Sequence, residues 1–226
     1  MVVRYVTTLT SEQYVTQQAW RTATLKRCPV HPEGGCGLGG HGSYPRVRPA
    51  GIRVARLRCP KAGVTISLLP DFLAARITGT LLEVEQVVAT AERAESHEAA
   101  AGQLRPADEA EAVTLPSALR WLRRRLVPVR AALLAAVTLL PELTGCTPTL
   151  VAVRERLGVE EVLMDLRSRT AGPLPALCAP VGLCARARRT TRARQPAPHE
   201  VGPDPPRGRA VAGRCARDGL GPTPQR

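Results

Sequence analysis

Within residues 28–73 the chain carries three cysteines, Cys28, Cys36 and Cys59, and two histidines, His31 and His41. Thiolate and imidazole are the donors that a structural zinc ion takes, four at a time and tetrahedrally. Cys28-x2-His31 has the short spacing of a metal-binding knuckle, so His31 is the preferred fourth ligand beside the three thiolates, with His41 as its substitute. The second knuckle is incomplete: it reads Cys59-Pro-Lys-Ala62-Gly63, and Ala62 stands where a second cysteine would complete the pair. A zinc site is therefore expected. Two other readings stay open at this level: the same fold without its metal, and cysteines unrelated to one another.

Other chemistries find no support in the residues. The chain has no Gly-x-Ser-x-Gly elbow and no dinucleotide fingerprint, and the glycines of 34–42 are not followed by the Gly-Lys-Ser/Thr of a phosphate loop. The carboxylates Glu83, Glu85, Glu92, Glu95, Glu98, Asp108, Glu109 and Glu111 fall on predicted helices or linkers and read as solvated helix faces. No catalytic residue is assigned, and an enzyme is not expected.

The charge points to a partner instead. Lys+Arg number 32 against 19 Asp+Glu, a formal net charge of +13, and only Lys26 and Lys61 are lysines. Arginine's planar fork suits phosphate and guanine, so the expected partner is DNA. Part of the excess is also what a GC-rich, Arg/Ala/Pro/Gly-biased coding sequence yields. Arg46, Arg48, Arg53, Arg56 and Arg58 accompany the predicted strands of the Cys/His segment. Arg120, Arg123 and Arg124 share one face of a predicted helix, opposite Leu119, Leu122 and Leu126. These eight are the candidate nucleic-acid contacts. The most apolar run, Ala131 to Leu140, is too short to span a bilayer, and the N-terminus lacks a signal-peptide pattern, so a reducing cytoplasmic setting is expected.

The elements that must position these groups form an α+β chain. Residues 1–27 read as a strand (Val2 to Val6) and a helix capped by Ser11, with Trp20 at its end. Residues 28–75 form a small zinc-ribbon-like β module: a glycine-rich loop, strands Tyr44 to Val47 and Ile52 to Arg58, and a turn at Pro49-Ala50-Gly51. Leu57 falls on the face opposite Ile52 and Val54, which a bulge near Ala55 would reconcile. Residues 76–170 are helical. A Thr80/Glu83 capping box opens a helix over 80–101, with Leu81, Val84, Val88 and Ala91 as its apolar stripe. After a polar, acidic connection over 102–115, Ser117 caps a helix to Val127, Pro128 breaks or kinks it, and a further helix runs to Leu140. Thr149 opens a helix that ends at Gly158 and is followed by one over 160–169, the spacing of a helix-turn-helix. Residues 171–226, Arg/Pro-rich with ten arginines against three acids, are expected to be a disordered tail.

The order of these motifs resembles a known family. Cys28-Pro, His41-Gly42-x-Tyr44, an Arg/Val strand and Cys59-Pro-x-x-Gly63-x-Thr65-x-Ser67-Leu-Leu-Pro70 are similar to the N-terminal zinc ribbon of bacterial insertion-sequence transposases and their short orphan relatives. The resemblance covers about residues 26–90. It implies a ribbon that binds DNA, particularly transposon ends, followed by helices. Those ribbons carry Cys-Pro-x-Cys-Gly where this chain has Ala62. Transposases cut with three carboxylates on a ribonuclease-H-like sheet, and no run of apolar strands follows residue 75 to build one. The expected function is a noncatalytic, transposase-related DNA-binding protein. The alternative is a helical protein–protein interaction protein, or a decayed mobile-element remnant without metal.

Overall fold

A computed structural model describes residues 1–104, 114–173 and 177–184, all within one compact unit. The acidic stretch with Asp108, Glu109 and Glu111, and the arginine-rich part of the expected disordered tail, lie outside the described residues.

The architecture is α+β, as expected. Strands β2 (Gly39–Pro45), β3 (Arg53–Cys59) and β4 (Val64–Pro70) form an antiparallel meander. β1 (Val2–Tyr5) adds to β4 in parallel, giving the order β1-β4-β3-β2. Helix α1 (Ser11–Thr16) follows β1, and a 3-10 turn at Ala19–Arg21 carries Trp20. Thr10, not Ser11, caps α1: its hydroxyl accepts from the Gln13 N–H while the Gln13 side chain accepts from the Thr10 N–H. A capping box satisfies two free donors where a lone serine satisfies one.

The sheet is covered on both faces, which explains the awkward alternation of β3. Ala55, Leu57 and Cys59 pack with Ile66 and Leu68 against Ala23, Cys28 and Cys36. Ile52 and Val54 pack with Leu69 against Tyr14, Leu73 and Ala75. Leu57 thus needs no bulge in β3 to find a core. The bulge lies across the ladder, in β2: Gly40 pairs with Leu57 and Ser43 with Ala55, so His41 and Gly42 together oppose Arg56.

Helices α2 (Leu81–Arg93), α3 (His97–Gln103), α4 (Leu115–Leu139), α5 (Leu150–Leu157) and α6 (Val162–Arg169) follow. The expected stripe of Leu81, Val84, Val88 and Ala91 on α2 is buried against α4, α5 and α6. The Thr80/Glu83 box forms, with both bonds made at 3.0 and 2.7 Å. Thr80→Ala removes one of them and should lower the unfolding free energy by about 1 kcal/mol, read as a shift of the urea midpoint.

Pro128 does not divide the third predicted helix. α4 runs unbroken from Leu115 to Leu139 with Pro128 inside it. Interior proline costs about 3 kcal/mol. Leu122 and Leu126 before it, and Val129, Leu133 and Ala136 after it, stay buried in one core. At about 1.5–3 kcal/mol for each large side chain buried, that continuous stripe outweighs the lost backbone bond. The helix begins at Thr114, whose hydroxyl donates to Ser117 Oγ, and Pro116 sits in its first turn.

The packed chain also extends past the change of composition at Ala171. Leu177 and Val181 are buried against the helical core. Arg167, fully buried on α6, donates to the carbonyls of Asp71, Leu73, Pro180 and Val181 at 2.5–2.9 Å. Burial pulls its pKa down to about 10 despite the nearby Asp71 carboxylate, so it stays a cation at neutral pH. No helix among the described residues is long and apolar enough to cross a membrane.

Candidate metal centre

Two turns bring the Cys/His donors together. In the first, the His31 N–H donates to the Cys28 carbonyl at 3.2 Å, and Gly34 N–H to the His31 carbonyl at 3.0 Å, which doubles the chain back toward Cys36. The second leaves the end of β3: Gly63 N–H donates to the Pro60 carbonyl at 3.2 Å, with Gly63 at φ 65°. Left-handed backbone there favours glycine. The turns abut so closely that a Cβ on Gly37, itself at φ 67°, would lie 3.3 Å from Pro60 Cγ.

Cys28, His31, Cys36 and Cys59 place one ligand atom each within 4.8 Å of all the others. His31 Nδ1 lies 3.9 Å from Cys28 Sγ and 3.3 Å from Cys59 Sγ. A tetrahedron with bonds of about 2.3 Å to sulfur and 2.0–2.1 Å to nitrogen has S···S edges of about 3.8 Å and S···N edges of about 3.6 Å. The donors therefore already stand near the corners of such a site. The three thiols are buried and His31 is half-buried, so one edge of the cluster remains open. Leu57, Ile66, Leu68 and Ala23 wall the sulfurs off from water.

The electrostatics favour a cation. Burial works against ionisation of Cys28, but hydrogen bonding with the His31 side chain, the backbone of Val30 and His31, and Cys36 brings its thiol down to about 6. Burial and the neighbouring Cys28 and Cys59 thiols push Cys36 up. Such mutual crowding of sulfur donors is what a divalent ion relieves.

The preferred set is thus the one the fold assembles. His31 supplies the fourth donor beside the three thiols, and Ala62 packs against the same cluster as a small apolar contact. The first half of the segment contributes three of the potential donors and the second half one. His41 is outside the cluster, exposed in the β2 bulge.

The eight candidate nucleic-acid arginines are scattered. Arg46 and Arg48 lie in the turn after β2, not on a strand. Arg46 points inward and donates to the Ala74 and Ile77 carbonyls at 3.0 and 2.8 Å. Arg53 grips Ser43, donating to Oγ at 2.9 Å and to the carbonyl at 3.2 Å. Arg56 is half-buried, while Arg48 and Arg58 are exposed. Because side chains alternate along β3, Arg53 leans to one face and Arg56 and Arg58 to the other. Arg120, Arg123 and Arg124 are exposed together on α4, as the helical period requires.

Other groups carry more of the structure than their sequence positions suggest. Arg125 stacks on Trp121, 3.9 Å from the ring centroid, and donates to Thr78. Glu85 is buried and Glu92 half-buried: Glu85 accepts from the Val162 and Leu163 N–H groups and from Arg154, and Glu92 from the Leu150 and Val151 N–H groups. The signal was available, since both lie at helical spacing on the Leu81/Val88 stripe of α2. The helix-turn-helix spacing does produce two helices joined at Gly158, but α6 spends its arginines internally. Arg167 is buried and Arg169 pairs with Asp165 and Glu142.

No family model, curated protein or solved structure matches this chain.

Proposed function

We propose that the chain is a noncatalytic DNA-binding protein whose N-terminal module is held in shape by one zinc ion on Cys28, His31, Cys36 and Cys59. The observation that carries this reading is the convergence of three thiols and one imidazole at near-tetrahedral spacings on two turns of a small sheet. A site in which the protein supplies all four donors is of the structural kind, whereas catalytic sites keep a position for water. The order of turns, strands and Ser67-Leu-Leu-Pro70 supports a relation to transposase-type ribbons. The formal charge of +13 and the exposed Arg48, Arg58, Arg120, Arg123 and Arg124 support a polyanionic partner.

Duplex DNA affinity measured across salt concentrations tests it. If those five arginines each neutralise a phosphate, log K should fall against log salt with a slope of about −4 to −5. Absence of binding at low salt would refute the reading. A second reading, a helical interaction protein, draws on the exposed apolar side chains Val127 (67%) and Leu134 (57%) of α4. It predicts that V127D/L134D abolishes partner capture and leaves DNA affinity unchanged.

A further inference from the structure

A groove of about 540 Å³ runs between the 18–23 segment and strands β2 and β3. Its lining includes Arg21, Arg53 and Arg56, with Trp20, Gln18 and Ser43, and no acidic side chain. A volume in this range holds one small ligand and is too narrow for a duplex. We infer that this groove binds one unpaired nucleotide of a nucleic-acid strand, its phosphate on the arginines and its base against Trp20. The inference rests on the nucleic-acid reading above and assigns it a place.

Four observations converge on it. First, the lining offers arginines and no carboxylate, a balance that favours an anion. Second, Arg53 is pre-set by its two bonds to Ser43, so little side-chain entropy remains to be lost on binding. Third, Arg56 Nε is buried with no hydrogen-bond partner among the described residues. An unpaired buried donor is costly, and an acceptor supplied by a ligand would remove that cost. Fourth, Trp20 is half-buried and braced by Tyr14, with ring centroids 6.0 Å apart, so it offers a fixed stacking surface. Gly40 and Gly42, with nothing within 4 Å of a notional Cβ, leave the β2 wall open to a sugar-phosphate backbone.

The test uses the full, zinc-supplemented chain carrying W121F, which leaves Trp20 as the remaining one of two tryptophans. A dye-labelled oligothymidylate of twelve nucleotides is titrated at low salt, and both dye anisotropy and Trp20 emission are followed. Binding should at least halve Trp20 emission. R21Q, at an exposed side chain, should raise Kd at least threefold, and R21Q/R56Q at least tenfold. A rise in anisotropy with unchanged Trp20 emission and unchanged Kd in both variants would overturn the groove and leave the DNA-binding reading standing. No rise in anisotropy with the oligonucleotide or with duplex DNA would remove both. Equal quenching by thymidine monophosphate at the same concentrations would overturn the assignment to a strand.

Discussion

Cys59→Ser is expected to reduce bound zinc from one equivalent to less than a tenth and to produce the largest loss of order in the N-terminal module. Cys59 is the one donor from the second turn, it is fully buried, and its sulfur lies 3.3 Å from His31 Nδ1. Without it, three donors from residues 28–36 remain, and no donor at the end of β3 is left to share a metal with that loop. The 28–38 loop has few other anchors: it is glycine-rich and mostly exposed, and its buried side chains are the ligands Cys28 and Cys36 themselves. Metal at a thousandfold excess over its Kd stabilises the folded state by about 4 kcal/mol, and chelation should remove that amount. His41→Ala should change neither stoichiometry nor melting temperature, because His41 lies outside the cluster. The sharpest check is rescue. His31→Ala should lose the metal, and H31A/A62C should regain it, because residue 62 already packs against the cluster that holds the donors. Stoichiometry by metal analysis reads each variant; full occupancy in Cys59→Ser would remove the site as drawn.

Glu85→Ala should lower the unfolding free energy by about 3–5 kcal/mol, a large share of the stability of a domain this size. The carboxylate is 2% exposed and makes three bonds: to the Val162 N–H at 3.0 Å, the Leu163 N–H at 2.9 Å and Arg154 Nη2 at 2.8 Å. α6 has no side-chain cap of its own, so Glu85 supplies from another helix the acceptor that Glu161 does not. Its removal leaves two buried donors unpaired and deprives Arg154 of its counter-charge. Glu92→Ala should cost less, about 0.5–2 kcal/mol, because Thr149 still caps α5 and the site is partly exposed. Urea unfolding separates the two: equal shifts for both variants would mean that burial of Glu85 contributes nothing.

The contrast between these sites shows what sequence reading reaches. Thr80 and Glu83 are three residues apart, so the capping box is visible in the sequence and forms as expected. Gly158 in left-handed conformation ending α5, and the burial of Leu81, Val84, Val88 and Ala91, are equally local. Pro128 misleads because proline's cost is local and visible, while the stripe that overrides it is counted only when α4 meets α2 and the 141–153 segment. The strand arginines mislead in a similar way. Residue type predicts a basic surface, but Arg46 is drawn inward by carbonyls 28 and 31 positions away.

The residue types and their spacing therefore determined, without further help, the α+β character, the helical caps and stripes at Thr80 and Gly158, and a short list of five metal donors. Tertiary structure alone decided which four of the five converge, that both faces of the sheet are covered, and that Glu85 and Arg167 are interior ties and not surface charges. The reason is separation along the chain. Turns, caps and helical stripes are set by residues within a few positions of one another. A carboxylate that caps a helix 77 positions away, or a guanidinium that collects a carbonyl 96 positions away, leaves no periodic trace until the chain has closed.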